Sequence, residues 1–270
     1  FGALGTKINI IQRNQNLIPS GDTEIKQQFT KVFSKKYNIY TNFTVDEVSK
    51  QAGKYVVHAS SKDGKKEKKV VSDNLLVATG RKPNTDILQV EKTGVKINKP
   101  GYVVCNPYLE TSAKNIWALG DIVGNYLFKH SANLEAGYVY HNAILGKKLK
   151  VDYSAMPSAI FSSPQVASVG FTEDQLKEKN YDYAVGKYEY INSGMGTALQ
   201  DNDGFVKILV GKKTKKILGC HIMGTDASTL IHEIILAMKA GLTISAIKQT
   251  VHIHPALSEV IQRAVNSVEF

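Results

Sequence analysis

The sequence has only two cysteines, Cys105 and Cys220, in 270 residues. They are far apart, and neither a C-x-x-C motif nor another metal-ligand spacing is present. This argues against a disulfide framework, a metal site and a local redox pair. Each cysteine lies in an apolar, strand-like run, so we expect two buried free thiols. Free thiols are typical of a reducing compartment, and we therefore expect a cytoplasmic protein.

Long hydrophobic runs are also missing. No stretch approaches the roughly 20 apolar residues that a membrane-spanning helix needs, so we predict no membrane association. The chain begins Phe1-Gly2 without an initiator methionine or a basic leader, so we expect an internal piece of a longer protein rather than a secreted precursor. The apolar content of 43% and charged content of 21% are those of an ordinary globular protein.

Acidic residues are fewer than basic ones, 24 against 34, which gives a net charge of +10. Many lysines fall in three short clusters, Lys65–Lys69, Lys147–Lys150 and Lys212–Lys216, which we interpret as solvated turns. A nucleic-acid-binding surface would interleave basic and aromatic residues on one face, and no such pattern is present. We therefore predict no nucleic-acid partner; the positive charge suits an anionic substrate or cofactor better.

The residues with the clearest chemistry lie near the C-terminus. His254 is followed by Pro255, and Glu259 comes five residues after the histidine. Proline suits the first position of a helix, so we predict a helix from about residue 255 to 268. Glu259 would then accept the imidazole N–H and fix its tautomer, which makes a general base with an orienting partner. The spacing alone fits a surface histidine beside a helical glutamate equally well.

The first third of the sequence is typical of a nucleotide-binding fold. A strand at residues 7–13 precedes a helix that Asp22 caps and that runs to about Ser34. Short strands are predicted at residues 39–48, 54–60, 66–71 and 74–78, with Asp63-Gly64 as a hairpin turn. No G-x-G-x-x-G motif precedes the first strand. Gln12 and Arg13 occupy the strand end where an acidic residue holds the ribose of NAD, so the pair weakly favours NADP(H).

The strand at 74–78 and one further strand are predicted to end in glycine turns. Residues 75–85 read L-L-V-A-T-G-R-K-P-N-T, and Gly80 follows the apolar run. Residues 111–121 form a second predicted strand that ends in Gly120-Asp121, and a helix then follows to about Leu145. From residue 151 onwards we predict an antiparallel sheet with helices, in which residues 204–210 and 217–223 are two strands joined by a lysine-rich turn. In that part Thr172 caps a short helix and forms a capping box with Gln175. A helix at 228–240 carries His232 and Glu233, which we interpret as structural.

These segments resemble the flavin-dependent pyridine nucleotide–disulfide reductases, which include dihydrolipoamide dehydrogenase and mycothione reductase. The resemblance rests on H-x-H-P-x-L-S-E at 252–259, A-T-G-R-K-P-N at 78–84 and the strand that ends in Gly120-Asp121. It implies an α/β fold with partial NAD(P)- and FAD-binding doubly wound domains and an α+β dimerisation domain. The implied boundaries are residues 1–87, 88–150 and 151–270.

The resemblance also implies roles for individual residues. His254 and Glu259 would be the catalytic acid/base pair, acting on a small disulfide or dithiol substrate, and residues 151–270 would form a homodimer. FAD and NAD(P)H would be the cofactors. The implied cofactor-binding residues are Gln12, Arg13, Gly80, Gly120, Asp121, Leu127, Phe128, Lys129 and His130.

The family's C-x-x-x-x-C redox pair and its nucleotide glycine motifs are absent from this sequence. The resemblance therefore implies a C-terminal fragment that is inactive alone. Two alternatives remain open. One is a non-catalytic dimerisation module, and the other is a mercuric reductase or NADH oxidase-type enzyme of the same fold.

Overall fold

The computed structural model describes all residues from 1 to 270. The strands are β1 Asn9–Gln12, β2 Asn38–Thr41, β3 Phe43–Gln51, β4 Lys54–Ser61, β5 Glu67–Ser72, β6 Pro157–Ile160, β7 Gln165–Gly170, β8 Tyr183–Glu189, β9 Phe205–Gly211 and β10 Ile217–Gly224. The α-helices are α1 Thr23–Lys36, α2 Thr85–Leu88, α3 Lys129–Val139, α4 Glu173–Glu178, α5 Gly194–Ala198, α6 Ala227–Lys239, α7 Ile244–Gln249 and α8 Glu259–Asn266. None of these helices is both long and apolar enough to cross a bilayer. The residues divide into two compact units, 1–76 with 157–270, and 77–156.

The first unit begins with a βαβ arrangement. β1 and β2 pair in parallel, from Asn9 opposite Asn38 to Gln12 opposite Thr41, and α1 connects them. Asp22 caps α1, because its carboxylate accepts the N–H of Glu24 at 3.1 Å. The cap satisfies a helix N–H that has no partner inside the helix. The predicted first strand and the helix that follows it are both confirmed.

A three-stranded antiparallel sheet follows, in the order β3-β4-β5. Gly64 turns the chain between β4 and β5 with a φ of 69°, a left-handed conformation that glycine adopts without steric cost. The strands predicted at 54–60 and 66–71 are confirmed, whereas the one predicted at 39–48 is divided at Asn42 between β2 and β3, which belong to different sheets. Residues 74–78 form no strand, so that prediction is wrong.

The centre of the first unit is a five-stranded antiparallel sheet with the order β6-β7-β10-β9-β8. Every residue of β9 is buried, so this strand lies in the core. The predicted strands at 204–210 and 217–223 and the helix at 228–240 are confirmed within one residue at each end. Thr172 and Gln175 form the predicted capping box at the start of α4. His221 is also a packed residue, since its ring nitrogens contact Ser168 Oγ and the Phe171 carbonyl.

Helix α1 packs against this sheet, although well over 100 residues separate it from the sheet in sequence. Three buried residues of α1, spaced by four and three positions, share one helical face. They form one buried cluster with an apolar residue from each of three strands; the cluster is Ile25, Phe29, Val32, Val166, Phe205 and Met223. Full burial of such a side chain contributes about 1.5–3 kcal/mol. The βαβ segment and the five-stranded sheet therefore share one core.

A buried charge cluster lies beside this core. The Lys207 side chain on β9 is 1% exposed, and its Nζ lies 3.0 Å from Asp22 Oδ1, 2.8 Å from Glu24 Oε1 and 2.6 Å from Glu173 Oε2. Asp22 is fully buried and also accepts the N–H groups of Glu24 and Glu173. One ammonium group thus joins the start of α1 to β9 and α4.

This cluster predicts that the first unit loses stability in acid. Burial raises the pKa of Glu173, but hydrogen bonds from Lys207, Lys177 and Tyr183 outweigh it and lower that pKa to about 2. A carboxyl group whose pKa is lowered by folding stabilises the folded state above its unfolded pKa, and this contribution is lost as the pH falls towards the folded value. We expect the urea midpoint to fall between about pH 5 and pH 2 and the fall to be shallower in Glu173→Gln. Urea titrations followed by circular dichroism at several pH values would measure the midpoints. An equal fall of the midpoint with pH in the unsubstituted chain and in Glu173→Gln would contradict the prediction.

The second unit contains no β-strand. Its main elements are α2, α3 and a π-helical turn at Tyr140–Ile144 that continues α3, which confirms the predicted helix to about residue 145. The predicted strand at 111–121 is wrong, because only isolated bridges such as Glu110 with Trp117 occur there. An extended segment becomes a strand only where a neighbouring strand completes its hydrogen bonds, and no other strand of this chain lies beside residues 111–121 or 74–78.

Candidate active site

The loop between α7 and α8 brings His254 and Glu259 together. His254 Nδ1 lies 3.0 Å from Glu259 Oε1 and 3.1 Å from Oε2. The Glu259 carboxylate also accepts the Ala256 N–H at 3.2 Å, which fixes its orientation. The predicted contact between this histidine and this glutamate is therefore present in the structure.

The route to this contact differs from the prediction. α8 begins at Glu259 rather than at Pro255, and residues 255–258 form a turn. The predicted helix would have placed Glu259 in its second turn rather than at its first position. The turn brings the two side chains together. Glu259 lies at the first position of α8, where a negative charge interacts favourably with the helix dipole.

The environment of the pair assigns a role to each ring nitrogen. The hydrogen bond from His254, and after it that from the Ala256 N–H, hold the pKa of Glu259 below its usual range. The carboxylate is therefore ionised at neutral pH and accepts a hydrogen bond from Nδ1–H. The His254 side chain is 74% exposed, whereas that of Glu259 is 10% exposed. Glu259 thus occupies Nδ1 and leaves Nε2 as the ring nitrogen on the exposed side, which is the arrangement that a general base needs.

A second imidazole–carboxylate pair lies in the same loop. His252 Nε2 lies 3.0 Å from Oε1 of Glu233 on α6. This contact was not predicted from the sequence, because the two residues lie on different elements and match no spacing rule. The prediction that His232 and Glu233 are structural did not anticipate a partner for Glu233.

In the second unit, the glycine turn after residue 79 lies beside Asp121. Arg81, which directly follows Gly80, donates to Asp121 Oδ2 at 2.9 Å and to the Leu127 carbonyl at 2.8 Å. Gly120 has a φ of 77° and begins a 3-10 turn that contains Asp121. Arg81 was not among the predicted site residues, although its position in A-T-G-R-K-P-N could have indicated it. The structure thus groups Arg81, Asp121 and Leu127.

The start of α3 follows directly. Phe128 is the N-cap of α3, and its side chain makes no cap bond to the helix. The rings of Phe128 and His130 stack with their centroids 5.0 Å apart. The Lys129 ammonium donates to Asn133 Oδ1 on the next turn of α3. The predicted residues 127–130 therefore form one helix start.

Gln12 and Arg13 lie at the end of β1. Gln12 Oε1 accepts the Asn14 N–H at 3.2 Å, and Arg13 is exposed. The carboxyl ends of parallel strands are where ligands bind in open α/β sheets. The two residues are placed as the sequence predicted, but no contact in the structure assigns them a ligand.

Neither cysteine is suited to redox chemistry. Cys220 is fully buried on β10, and burial raises the pKa of its thiol far above the usual range. Burial also raises the pKa of Cys105 to about 11. Thiol–disulfide exchange proceeds through a thiolate, and neither group forms one readily near neutral pH. The prediction of two unpaired thiols is confirmed, with Cys105 only partly buried.

Comparison with known proteins identifies the family. The model of the pyridine nucleotide-disulphide oxidoreductases matches residues 1–143, and that of their dimerisation domain matches residues 156–265. Dihydrolipoyl dehydrogenase of Buchnera aphidicola is 34% identical over 264 residues, which cover 98% of this chain and 55% of that protein. Mycothione reductase of Mycobacterium tuberculosis is 36% identical over 271 residues, which cover 98% and 58%.

A solved structure gives the same result. The HOCl-induced flavoprotein disulfide reductase RclA of Escherichia coli superposes with a TM-score of 0.90 at 27% identity, covering 99% of this chain and 61% of that one. The chain spans about half the length of the curated relatives that it matches. Because one family model covers more than half of the chain and the dimerisation model covers most of the remainder, the chain belongs to the pyridine nucleotide-disulphide oxidoreductases.

Proposed function

We propose that this chain supplies the acid/base pair and the dimer-forming part of an FAD-dependent NAD(P)H:disulfide oxidoreductase. The observation that carries the proposal is the bond between His254 Nδ1 and the Glu259 carboxylate, with the rest of the imidazole exposed. This arrangement suits a general base that takes a proton from a substrate bound at the surface of this chain. The substrate class is a small disulfide or dithiol.

The proposed proton transfer takes place at His254 Nε2. In the oxidation of a dithiol substrate, Nε2 accepts the proton of one substrate thiol, and the resulting thiolate attacks the disulfide of the complete enzyme's cysteine pair. One S–S bond forms as another breaks, and the departing sulfur leaves as a thiolate. In the reverse direction the imidazolium returns the proton to the leaving thiolate. Glu259 keeps Nδ1 protonated throughout, so that Nε2 carries the exchangeable proton.

The second unit fits a flavin. The N–H groups at the start of α3 have no side-chain cap, and such a helix start stabilises negative charge. The Asp121 carboxylate would accept hydrogen bonds from the hydroxyl groups of a ribityl chain. Gly120 has no side chain that would block the approach of the flavin to the backbone there. Gly80 and Arg81 lie on the neighbouring turn, and Arg81 donates to Asp121. Residues 127–130 would line the flavin. When bound, FAD would carry electrons from NAD(P)H to a cysteine pair.

Gln12 and Arg13 would bind the adenine ribose of NAD(P)H, and an exposed arginine favours a 2′-phosphate. The boundaries 1–87, 88–150 and 151–270 would correspond to nicotinamide, flavin and interface domains. A homodimer through residues 151–270 would place His254 beside the partner's cysteine pair. The two free thiols support a reducing compartment, and we place the protein in the cytoplasm.

The proposal is tested on the product of the complete gene. We expect a C-x-x-x-x-C motif in the complete reading frame, an oxidised-flavin absorbance spectrum in the purified protein, and NAD(P)H-dependent reduction of a small disulfide. The 270-residue chain alone should not turn over, since it contains no such cysteine pair. A complete product without the motif and without flavin would leave the dimerisation module as the function. Flavin with oxidase or metal-ion reductase activity alone would favour the alternative enzymes of the same fold.

A further inference from the structure

His252 is the only residue of the segment 251–255 whose side chain is held inside the fold by polar contacts on both sides. Its side chain is 5% exposed. Nδ1 lies 3.0 Å from the Thr250 carbonyl, and Nε2 lies 3.0 Å from Glu233 Oε1 on α6. The flanking Val251 and Ile253 are 94% and 77% exposed. His252 is therefore the one side chain of this segment that is turned into the fold, between two exposed neighbours.

The backbone of this segment is not held by a regular hydrogen-bond pattern. Residues 251–255 make no backbone–backbone hydrogen bond; the last before them joins Thr250 N–H to Ile247, and the next joins Glu259 N–H to Ala256. A peptide segment without such bonds samples several conformations unless side chains fix it. The two bonds of His252 fix the segment just before His254, and the bond of His254 to Glu259 fixes it afterwards.

Both partners of His252 are acceptors. A carbonyl oxygen can only accept, so Nδ1 donates to Thr250. Nε2 then faces a carboxylate, and the contact is attractive only if a proton lies between the two groups, either on Nε2 or on Glu233. The contact of His252 with Glu233 is thus charge-assisted in one assignment and a neutral hydrogen bond in the other. In both assignments it ties the loop to α6.

From these contacts we propose that Glu233 and His252 form a positioning pair, which holds residues 251–255 so that His254 meets Glu259. The inference rests on the proposed function in one respect, namely that His254 is the acid/base. The pair itself does not touch the substrate. The pair acts by holding the His254 ring within hydrogen-bonding distance of Glu259, and this hydrogen bond sets the tautomer and the orientation of the ring.

The test is ¹⁵N NMR of the histidine side chains of the 270-residue chain at about pH 8, where an ordinary imidazole is neutral. In the unsubstituted chain we expect His254 to give the pattern of a ring protonated at Nδ1, because Glu259 accepts from that nitrogen. In His252→Ala and Glu233→Ala we expect loss of that single pattern and at least a threefold increase in the Nε2–H population.

Two further variants separate positioning from general damage. Glu233→Gln should retain the Nδ1–H pattern of His254, because its amide can donate to His252 Nε2 while Nδ1–H still bonds Thr250. His232→Gln, the exposed neighbour of Glu233 on α6, should change nothing. An unchanged His254 pattern in both alanine variants would overturn the proposal. If His252→Ala loses the dispersed amide spectrum of the sheet, Glu233→Ala decides the question.

A second arm separates this inference from the proposed function. In the complete enzyme, Glu233→Ala should slow the disulfide half-reaction by up to about 100-fold, the cost of a small misplacement of a reacting group. The rate of flavin reduction by NAD(P)H should not change. An NMR effect without any disulfide reductase activity in the unsubstituted enzyme would reject the function and keep the positioning pair. Activity without an NMR effect would do the reverse.

Discussion

Replacing His254 by glutamine in the complete protein should lower the rate of the disulfide half-reaction by about 10²- to 10⁴-fold, the range of general acid–base catalysis. The glutamine amide can still donate a hydrogen bond to Glu259, so the loop keeps its geometry. It cannot accept a proton at the position of Nε2, so the thiolate must form without a base. The expected loss lies in the turnover number, because the substituted group acts on the reacting proton.

Rapid-mixing kinetics would measure this effect. Flavin reduction by NAD(P)H should proceed at the unsubstituted rate, whereas reoxidation by the disulfide should be slow. The matched control is His58→Gln, a partly exposed histidine on β4 in the three-stranded sheet, which should leave both rates unchanged. A His254→Gln enzyme that keeps turnover within about threefold would remove His254 from the mechanism, since a contribution below 10²-fold is smaller than a general base provides.

Replacing Lys207 by methionine should lower the free energy of unfolding of the first unit by about 3–5 kcal/mol, the usual cost of removing one partner from a buried ion pair. Methionine fills a similar volume, so the loss is not one of packing. Asp22 would remain fully buried with two N–H donors and no cation, while Glu24 and Glu173 would face it as like charges. The substitution therefore leaves the buried Asp22 carboxylate without a cation, while Glu24 and Glu173 keep only their more exposed partners Lys187 and Lys177.

Urea unfolding followed by circular dichroism would measure this change. Lys187→Met is the matched control, because Lys187 also binds Glu24, at 2.7 Å, but its side chain is 43% exposed. Exposed ion pairs contribute about 0–1 kcal/mol, so this variant should unfold almost as the unsubstituted chain does. Equal urea midpoints for Lys207→Met and Lys187→Met would show that Lys207 is not needed to stabilise the three carboxylates in the folded state.

Local sequence rules predicted the elements whose stability is local or whose partners are adjacent. Asp22 and Thr172 mark helix starts through their own side chains, and β9 and β10 are neighbours in sequence that form a hairpin. The segments 74–78 and 111–121 have strand-like composition, but a strand also needs a partner, which no local rule supplies. Exposed Leu76 and Val77 illustrate this difference between composition and pairing.

The candidate site divides in the same way. The motif H-x-H-P-x-L-S-E was sufficient to pair His254 with Glu259, although the helix start was misplaced by four residues. The contacts of Glu233 with His252 and of Arg81 with Asp121 join distant positions, and they follow only from the tertiary fold. The contacts of Lys207 on β9 were equally unpredictable from the sequence. A lysine in a run of apolar residues does not indicate that three carboxylates from two helices surround it.

The packing of α1 on the five-stranded sheet has a consequence for inheritance. Residues 1–76 and 157–270 form one unit although 80 other positions lie between them in the chain. A recombination event that exchanged only the C-terminal segment between two relatives would bring together an α1 face and a β9 lysine that had not diverged together. Such a chimera keeps its core and its charge cluster only if both segments come from the same parent. The two ends of this chain are therefore expected to change in concert during evolution.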